Sequence, residues 1–140
     1  MKHLGLGTIL FFLILLAGFG SGFAQEMGSG PDTLSVKSLV LTTGVVERNP
    51  VDTVQTFSPA DSEAFCHIRV RNSGQPTTVT FRWLRNNEEY FTFEARVGVS
   101  DNWRTYTSVT PRPGNWTVQI LDPAGNILKQ KNFTVTAQSD

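Results

Sequence analysis

From about residue 34 onward the apolar residues recur with a period of two, and no stretch repeats convincingly at helical spacing. Residues 34–41 open the pattern. Gly44 interrupts it, Val45–Val46–Glu47 are placed to resume it, and Asn49–Pro50 closes it, because the residue before proline is pushed out of the helical region. Residues 51–62, with Pro59, read as a loop or edge segment. Six further alternating segments follow. Residues 64–71 put Ala64, Cys66, Ile68 and Val70 on one face, and residues 77–85 do the same with Val79, Phe81 and Trp83. Residues 89–97 set Phe91, Phe93, Ala95 and Val97 against Tyr90, Thr92, Glu94 and Arg96. Residues 102–109 carry Trp103, Arg104 and Tyr106. Residues 116–121 turn Trp116, Val118 and Ile120 inward, and residues 127–136 turn Phe133 and Val135 inward. Lys129–Gln130–Lys131 in the last segment is the place for a bulge or a solvated edge.

Turn chemistry separates these segments. Asn72–Ser73–Gly74–Gln75–Pro76 and Asp122–Pro123–Ala124–Gly125–Asn126 are rich in the residues that make turns. Asn86–Asn87 suits a tight hairpin, since asparagine tolerates positive φ better than most residues. The expected fold is therefore all-β: an immunoglobulin-like, two-sheet antiparallel sandwich of about seven strands. In that fold a buried tryptophan on the third strand packs against a disulfide between the second and sixth. Here Cys66 falls on the second strand and Trp83 on the third, and the sixth offers Trp116, Val118 and Ile120. A Trp83–Trp116–Cys66 cluster is expected to fill the same space without a bond.

The start of the chain follows a different pattern. Met1–Lys2–His3 is a short basic start, an apolar run extends from Leu4 to about Phe19, and Gly22–Phe23–Ala24 places small residues before Gln25. This is the layout of a cleavable secretory signal, with an apolar run shorter than the ~20 residues of a membrane span. The expected organisation is a signal over residues 1–24, a flexible leader over 25–33 and the sandwich over 34–137. The product is expected outside the inner membrane, most simply in the periplasm, with no stable membrane anchor.

Composition then narrows the function classes. The chain has 140 residues and its formal charges cancel. Loss of Lys2 with the signal leaves a net charge of about −1, and nothing forms the basic footprint of a nucleic-acid binder. Cys66 is the only cysteine, so no internal disulfide can form. It shares parity with Ile68 and Val70 and reads as a buried apolar residue.

Several short signals occur in a fixed order: Glu47–Arg48–Asn49–Pro50–Val51, Ala64–Phe65–Cys66, Phe81–Arg82–Trp83, Asn102–Trp103–Arg104–Thr105–Tyr106–Thr107–Ser108, Gly114–Asn115–Trp116–Thr117–Val118, Asp122–Pro123–Ala124–Gly125–Asn126–Ile127–Leu128 and Phe133–Thr134–Val135. The set resembles a family of bacterial envelope domains catalogued only as a domain of unknown function (twenty-nine-fourteen), over roughly residues 36–135. The resemblance implies a bacterial source and an envelope compartment, and brings no assigned activity. The family often carries a histidine two residues before its third-strand tryptophan; Phe81 stands there in this chain. In a bacterial protein the matches of Asn115–Trp116–Thr117 and Asn132–Phe133–Thr134 to the glycosylation sequon are fortuitous.

Little chemistry is on offer. His67 is the only histidine outside the signal. It neighbours Cys66, and adjacent strand residues point to opposite faces, so the two cannot share a metal locally. His67 itself is expected on a solvated face beside Arg69. Glu88–Glu89 beside a hairpin are expected to be solvated charges rather than an acid/base pair, and no glycine-rich phosphate loop is present. The expected protein is not an enzyme and holds no cofactor or metal.

Two surfaces are candidate binding sites. One is an outer sheet face with Arg82, Tyr90, Glu94 and Arg96 among threonines. The other is Trp103–Arg104, although a tryptophan in an alternating strand is expected to pack in the core, which would leave Arg104 to pair with Asp101 or another carboxylate nearby. The expected function is a non-catalytic interaction module that binds an envelope protein through a sheet face or edge. The alternative is a carbohydrate- or peptidoglycan-binding domain with exposed aromatics. Burial of all three tryptophans with an exposed, flat edge strand favours the first; a coplanar exposed pair among Trp103, Tyr106, Tyr90 and Trp116 favours the second.

Overall fold

The computed structural model describes residues 33–137; the expected signal and nearly all of the leader lie outside the described residues. Ten strands follow one another: β1 (Leu34–Thr42), β2 (Val45–Val46), β3 (Asn49–Pro50), β4 (Thr56–Phe57), β5 (Ala64–Asn72), β6 (Thr77–Arg85), β7 (Glu88–Val97), β8 (Ser100–Val109), β9 (Gly114–Leu121) and β10 (Ile127–Val135). The seven long strands are those the alternation predicts. The other three are two-residue pieces between the first and second long strands.

The strands form a three-stranded sheet in the order β1-β5-β8 and a five-stranded sheet in the order β4-β10-β9-β6-β7, with β2 and β3 as a separate hairpin. The fold is an immunoglobulin-like β-sandwich. It is not purely antiparallel: β4 runs parallel to β10, with Thr134 opposite Thr56 and Val135 opposite Phe57. The chain leaves the first sheet after β1 and crosses to the second, where Phe57 anchors it by packing edge-on against Phe133 at 5.5 Å between ring centroids.

Each long strand turns its apolar set inward. Cys66, Ile68 and Val70 of β5 face a second layer made of Val79, Phe81 and Trp83 from β6 and Trp116, Val118 and Ile120 from β9, all essentially inaccessible to water. Trp83 meets Trp116 edge-on at 6.4 Å and Phe133 edge-on at 6.0 Å, a geometry that aromatic quadrupoles favour. The tryptophans and Cys66 thus share one core without a disulfide.

Two tight turns use left-handed backbone. Asn86 and Asn87 have φ of 51° and 68°, as their composition predicts. Glu47 and Arg48 adopt φ of 51° and 66° in the β2–β3 turn, although neither residue type favours that region. The sequence marks Val45–Val46 as strand but nothing in it marks a turn at Glu47–Arg48, and the hairpin shapes the candidate site.

Candidate functional site

In a constant-type immunoglobulin domain the fourth strand pairs beside the fifth and covers its edge. Here the fourth long strand, β7, pairs instead with β6 in the larger sheet, so β8 ends the smaller sheet and β7 ends the larger one. Both edges are ten residues long. They are joined at Gly98–Val99, so one side of the sandwich presents two unpaired strand edges. Unpaired strand edges offer rows of free N–H and C=O groups.

The same topology uncovers part of the inner face. Phe91 and Phe93 stand opposite Trp83 and Phe81 in the β6–β7 ladder and therefore point inward. The three-stranded sheet is too narrow to cover them, and they are 40% and 44% exposed. Trp103 stands opposite Val70 in the β5–β8 ladder, also on the inner face, yet is 36% exposed. Its ring lies so close to Gly98 that a Cβ there would come within 2.7 Å of it. Gly98 is thus the floor on which Trp103 rests.

Beside Trp103 a groove of about 480 Å³ runs along β8, lined by Arg48, Arg96, Arg104, Thr105 and Tyr106 among others. Arg104 and Tyr106 stand opposite Arg69 and His67 on the outer face of β8. Arg48 comes from the β2–β3 turn, which folds over that face. Arg104 Nη1 donates to Asn49 Oδ1 at 2.8 Å, and the carbonyl of Arg48 bonds His67 Nε2 at 2.8 Å. A carbonyl only accepts, so Nε2 carries the proton.

The structure divides the sequence-predicted residues differently from the expectation. Arg82, Glu94 and Arg96 stand in ladder positions opposite Thr92, Thr80 and Thr78 on the outer face of the larger sheet, and Arg82 pairs with Glu89 at 3.2 Å. Tyr90 does not join them. A bulge between Trp83 and Leu84 leaves it as the extra residue of β7; its ring packs edge-on against Trp116 at 4.8 Å and its hydroxyl accepts from Arg112 Nε at 3.1 Å. Trp103 is not in the core, because β8 is an edge strand. Among the described residues Arg104 pairs with neither Asp101, which lies 3.7 Å from Arg71 instead, nor another carboxylate. Arg96, Trp103 and Arg104 are thus brought together in the groove, and Arg82, Tyr90 and Glu94 are not. Arg48 was not foreseen, since its place depends on a turn that lacks turn residues.

His67 also departs from expectation. It is buried under the β2–β3 hairpin and stacks on Tyr106, with planes 11° apart and centroids at 6.4 Å. Burial, reinforced by the cations of Arg69 and Arg104, holds its pKa below the ordinary 6.5. The folded state therefore resists a proton that the unfolded chain accepts, and stability is lost as pH falls below about 6.5. Denaturant midpoints measured between about pH 7.5 and 5.5 are expected to fall for the native chain. They should fall less for His67→Gln; an equal fall in both would assign the effect elsewhere. Cys66 lies on the opposite face of β5, fully buried, with burial pushing its thiol pKa far up, so it offers neither a nucleophile nor a ligand. Among the described residues no group of three or more His, Cys, Asp or Glu is placed to hold a metal ion.

The family model described as "Protein of unknown function (DUF2914)" matches residues 76–135. The stretch runs from the start of β6 to the end of β10 and bears out the resemblance there. No curated protein matches the chain. Among solved structures, the CARDB domain of a Pyrococcus furiosus protein, crystallised in complex with di-metal ions, aligns with 74% of this chain and 87% of its own. Its identity is 14% and its TM-score 0.43. A β-glucosidase from Kluyveromyces marxianus aligns with 74% of this chain and 14% of its own, at 11% identity and a TM-score of 0.44.

Proposed function

We propose that this domain, matched over residues 76–135 by a family without an assigned activity, is a secreted, non-catalytic interaction module of the bacterial envelope that binds a protein partner along its β7/β8 side. Only Trp83 and Trp116 meet the expected burial, and the reading is carried by a different observation: Phe91, Phe93 and Trp103 point inward and yet stay open to water beside two unpaired strand edges. Edges supply backbone hydrogen bonds to an added strand, and exposed aromatics beside them supply apolar area. The non-catalytic part rests on His67 and Cys66. The first is spent on the Arg48 carbonyl under a hairpin, and the second is sealed in the core. Export to the periplasm rests on the basic start, the apolar run and the small residues ahead of Gln25.

Site-specific photocrosslinking in the native host tests the proposal. A photoreactive residue at Thr105 or Phe93 is expected to give a discrete protein adduct, and one at Gln130, on the outer face of β10, is not. Adducts from Gln130 alone would move the interaction off this side. N-terminal sequencing of the same envelope-purified chain should begin at Gln25.

A second reading, a glycan-binding domain, has one feature in its favour. A depression of about 610 Å³ where β4 meets the β9–β10 ladder is lined largely by neutral amides and hydroxyls, including Gln55, Asn87, Asn115 and Asn132. Such groups suit an uncharged sugar. Exposed aromatics do not support it, because Trp103 and Tyr106 lie on opposite faces of β8 and Trp116 is buried. Co-sedimentation with purified peptidoglycan that Asn132→Ala abolishes and Trp103→Ala leaves intact would favour this reading over the first.

A further inference from the structure

The binding reading above leaves the partner's chemistry open, and the β8 groove narrows it. We propose that the groove takes an extended segment of a partner protein with Asp or Glu at every second residue, laid as a fourth strand against the free edge of β8. The inference rests on the β7/β8 side being the interaction side.

Charge is the first argument. Arg48, Arg96 and Arg104 all line the groove and no carboxylate does. Among the described residues the ion pairs are Arg71–Asp101 and Arg82–Glu89, so none of the three groove guanidiniums has an acidic partner there. Each guanidinium is a cation with a planar fork of donors suited to carboxylates. Their mutual repulsion is relieved only by screening or by an anion. Glu47, Glu94 and Asp101 are close in sequence and outside the lining. Arg104 is also held in place by Asn49, which lowers the entropy lost when it grips a carboxylate.

The strand itself is the second argument. A segment added to β8 would turn alternate side chains to opposite faces. Those on the outer face meet Arg104, Tyr106 and the Arg48 turn; those between them meet Trp103 and Thr105 on the inner face. The pattern called for is therefore acidic residues alternating with apolar ones. An anionic polysaccharide would satisfy the arginines but not the backbone edge, and the two groove aromatics do not form a platform for sugar rings, since they sit on opposite faces of β8.

The test titrates the purified protein with three probes: a ten-residue peptide alternating Glu with Val, its twin with Lys for Glu, and polygalacturonate. Binding is read by heteronuclear NMR and amide hydrogen exchange. The Glu peptide is expected to bind, to slow exchange of β8 amides and to weaken with added salt. Charge reversal of both Arg48 and Arg104 to Glu should lower its affinity by about tenfold or more. Arg96→Glu, on the other rim, serves should the double variant fail to fold. Equal binding of the Lys twin, or no effect of charge reversal, overturns the inference. So does polygalacturonate binding without protection of β8 amides, which would assign the groove to an anionic glycan. If no probe binds while crosslinking from Thr105 persists, the acidic strand falls and the interaction side stands. If the crosslinks are absent as well, both fall.

Discussion

Trp83→Ala is expected to be the most damaging single substitution in the domain, lowering stability by about 3–5 kcal/mol. Trp83 lies on β6, inside the larger sheet, with no exposed surface. Its ring meets Trp116 and Phe133 edge-on, and those two stack on each other at 5.7 Å. Removing the indole leaves a cavity lined by rings held in two separate strands, β9 and β10, that cannot collapse into it without shifting the sheet. Domains of this size are stable by only about 5–15 kcal/mol, so the variant should lose about a fifth or more of its margin. A chemical denaturation curve checks this. The midpoint should fall while the slope, which reports exposed surface, stays the same. Trp83→Phe should be much milder. The indole Nε1 has no hydrogen-bond partner among the described residues, so phenylalanine keeps most of the packing and removes an unpaired buried donor. Similar losses for both variants would mean that the polar atom, and not the ring cluster, dominates.

Asn72→Ala is expected to cost about 2–4 kcal/mol, large for a side chain of its size. Asn72 ends β5 and is buried. Its Nδ2 donates to the carbonyls of Gln75 at 2.9 Å and Gly98 at 3.2 Å, and its Oδ1 accepts from the Gly74 N–H at 3.1 Å. One amide thus ties the β5–β6 turn to the corner between β7 and β8. Alanine removes all three bonds and leaves the backbone groups without them. Asn72→Asp tests the donors specifically, since it keeps an acceptor for Gly74 but cannot donate to either carbonyl. Because Gly98 is the floor under Trp103, Asn72→Ala should also raise the exchange rate of the Gly98 and Val99 amides more than those of β9. Uniform acceleration across the domain would show global destabilisation without a special role for this corner.

Much of the fold was legible because alternation is a local property. Residues 77–85 were recognisable as a strand from their own sequence, and the structure returns the same bounds. Inwardness followed from the same rule, and Phe91, Phe93 and Trp103 do point inward. Exposure did not follow, because it depends on what lies opposite. A three-stranded sheet facing a five-stranded one leaves inward residues of the outermost strands uncovered, and no local pattern announces which strands those are. Tyr90 was misplaced by a single bulge, which shifts parity by one residue. His67 was misplaced for the converse reason. Its strand position put it on the outer face correctly, and a hairpin made of two-residue strands then covered it. That hairpin turns at Glu47–Arg48, where neither residue signals positive φ, so Arg48 could not be placed beside Arg104 from sequence.

Quenching of intrinsic fluorescence tests most directly whether the β7/β8 side carries an accessible tryptophan in a cationic groove. The chain has three tryptophans, of which Trp83 and Trp116 are sealed in the core and Trp103 is open beside Arg48, Arg96 and Arg104. Iodide, drawn to the guanidiniums, should quench one tryptophan's share of the emission, and caesium should quench it less. Inert salt should narrow the difference by screening. Trp103→Phe should abolish the quenchable share. Iodide quenching that persists in Trp103→Phe, or caesium quenching that equals iodide in the native chain, would contradict the account.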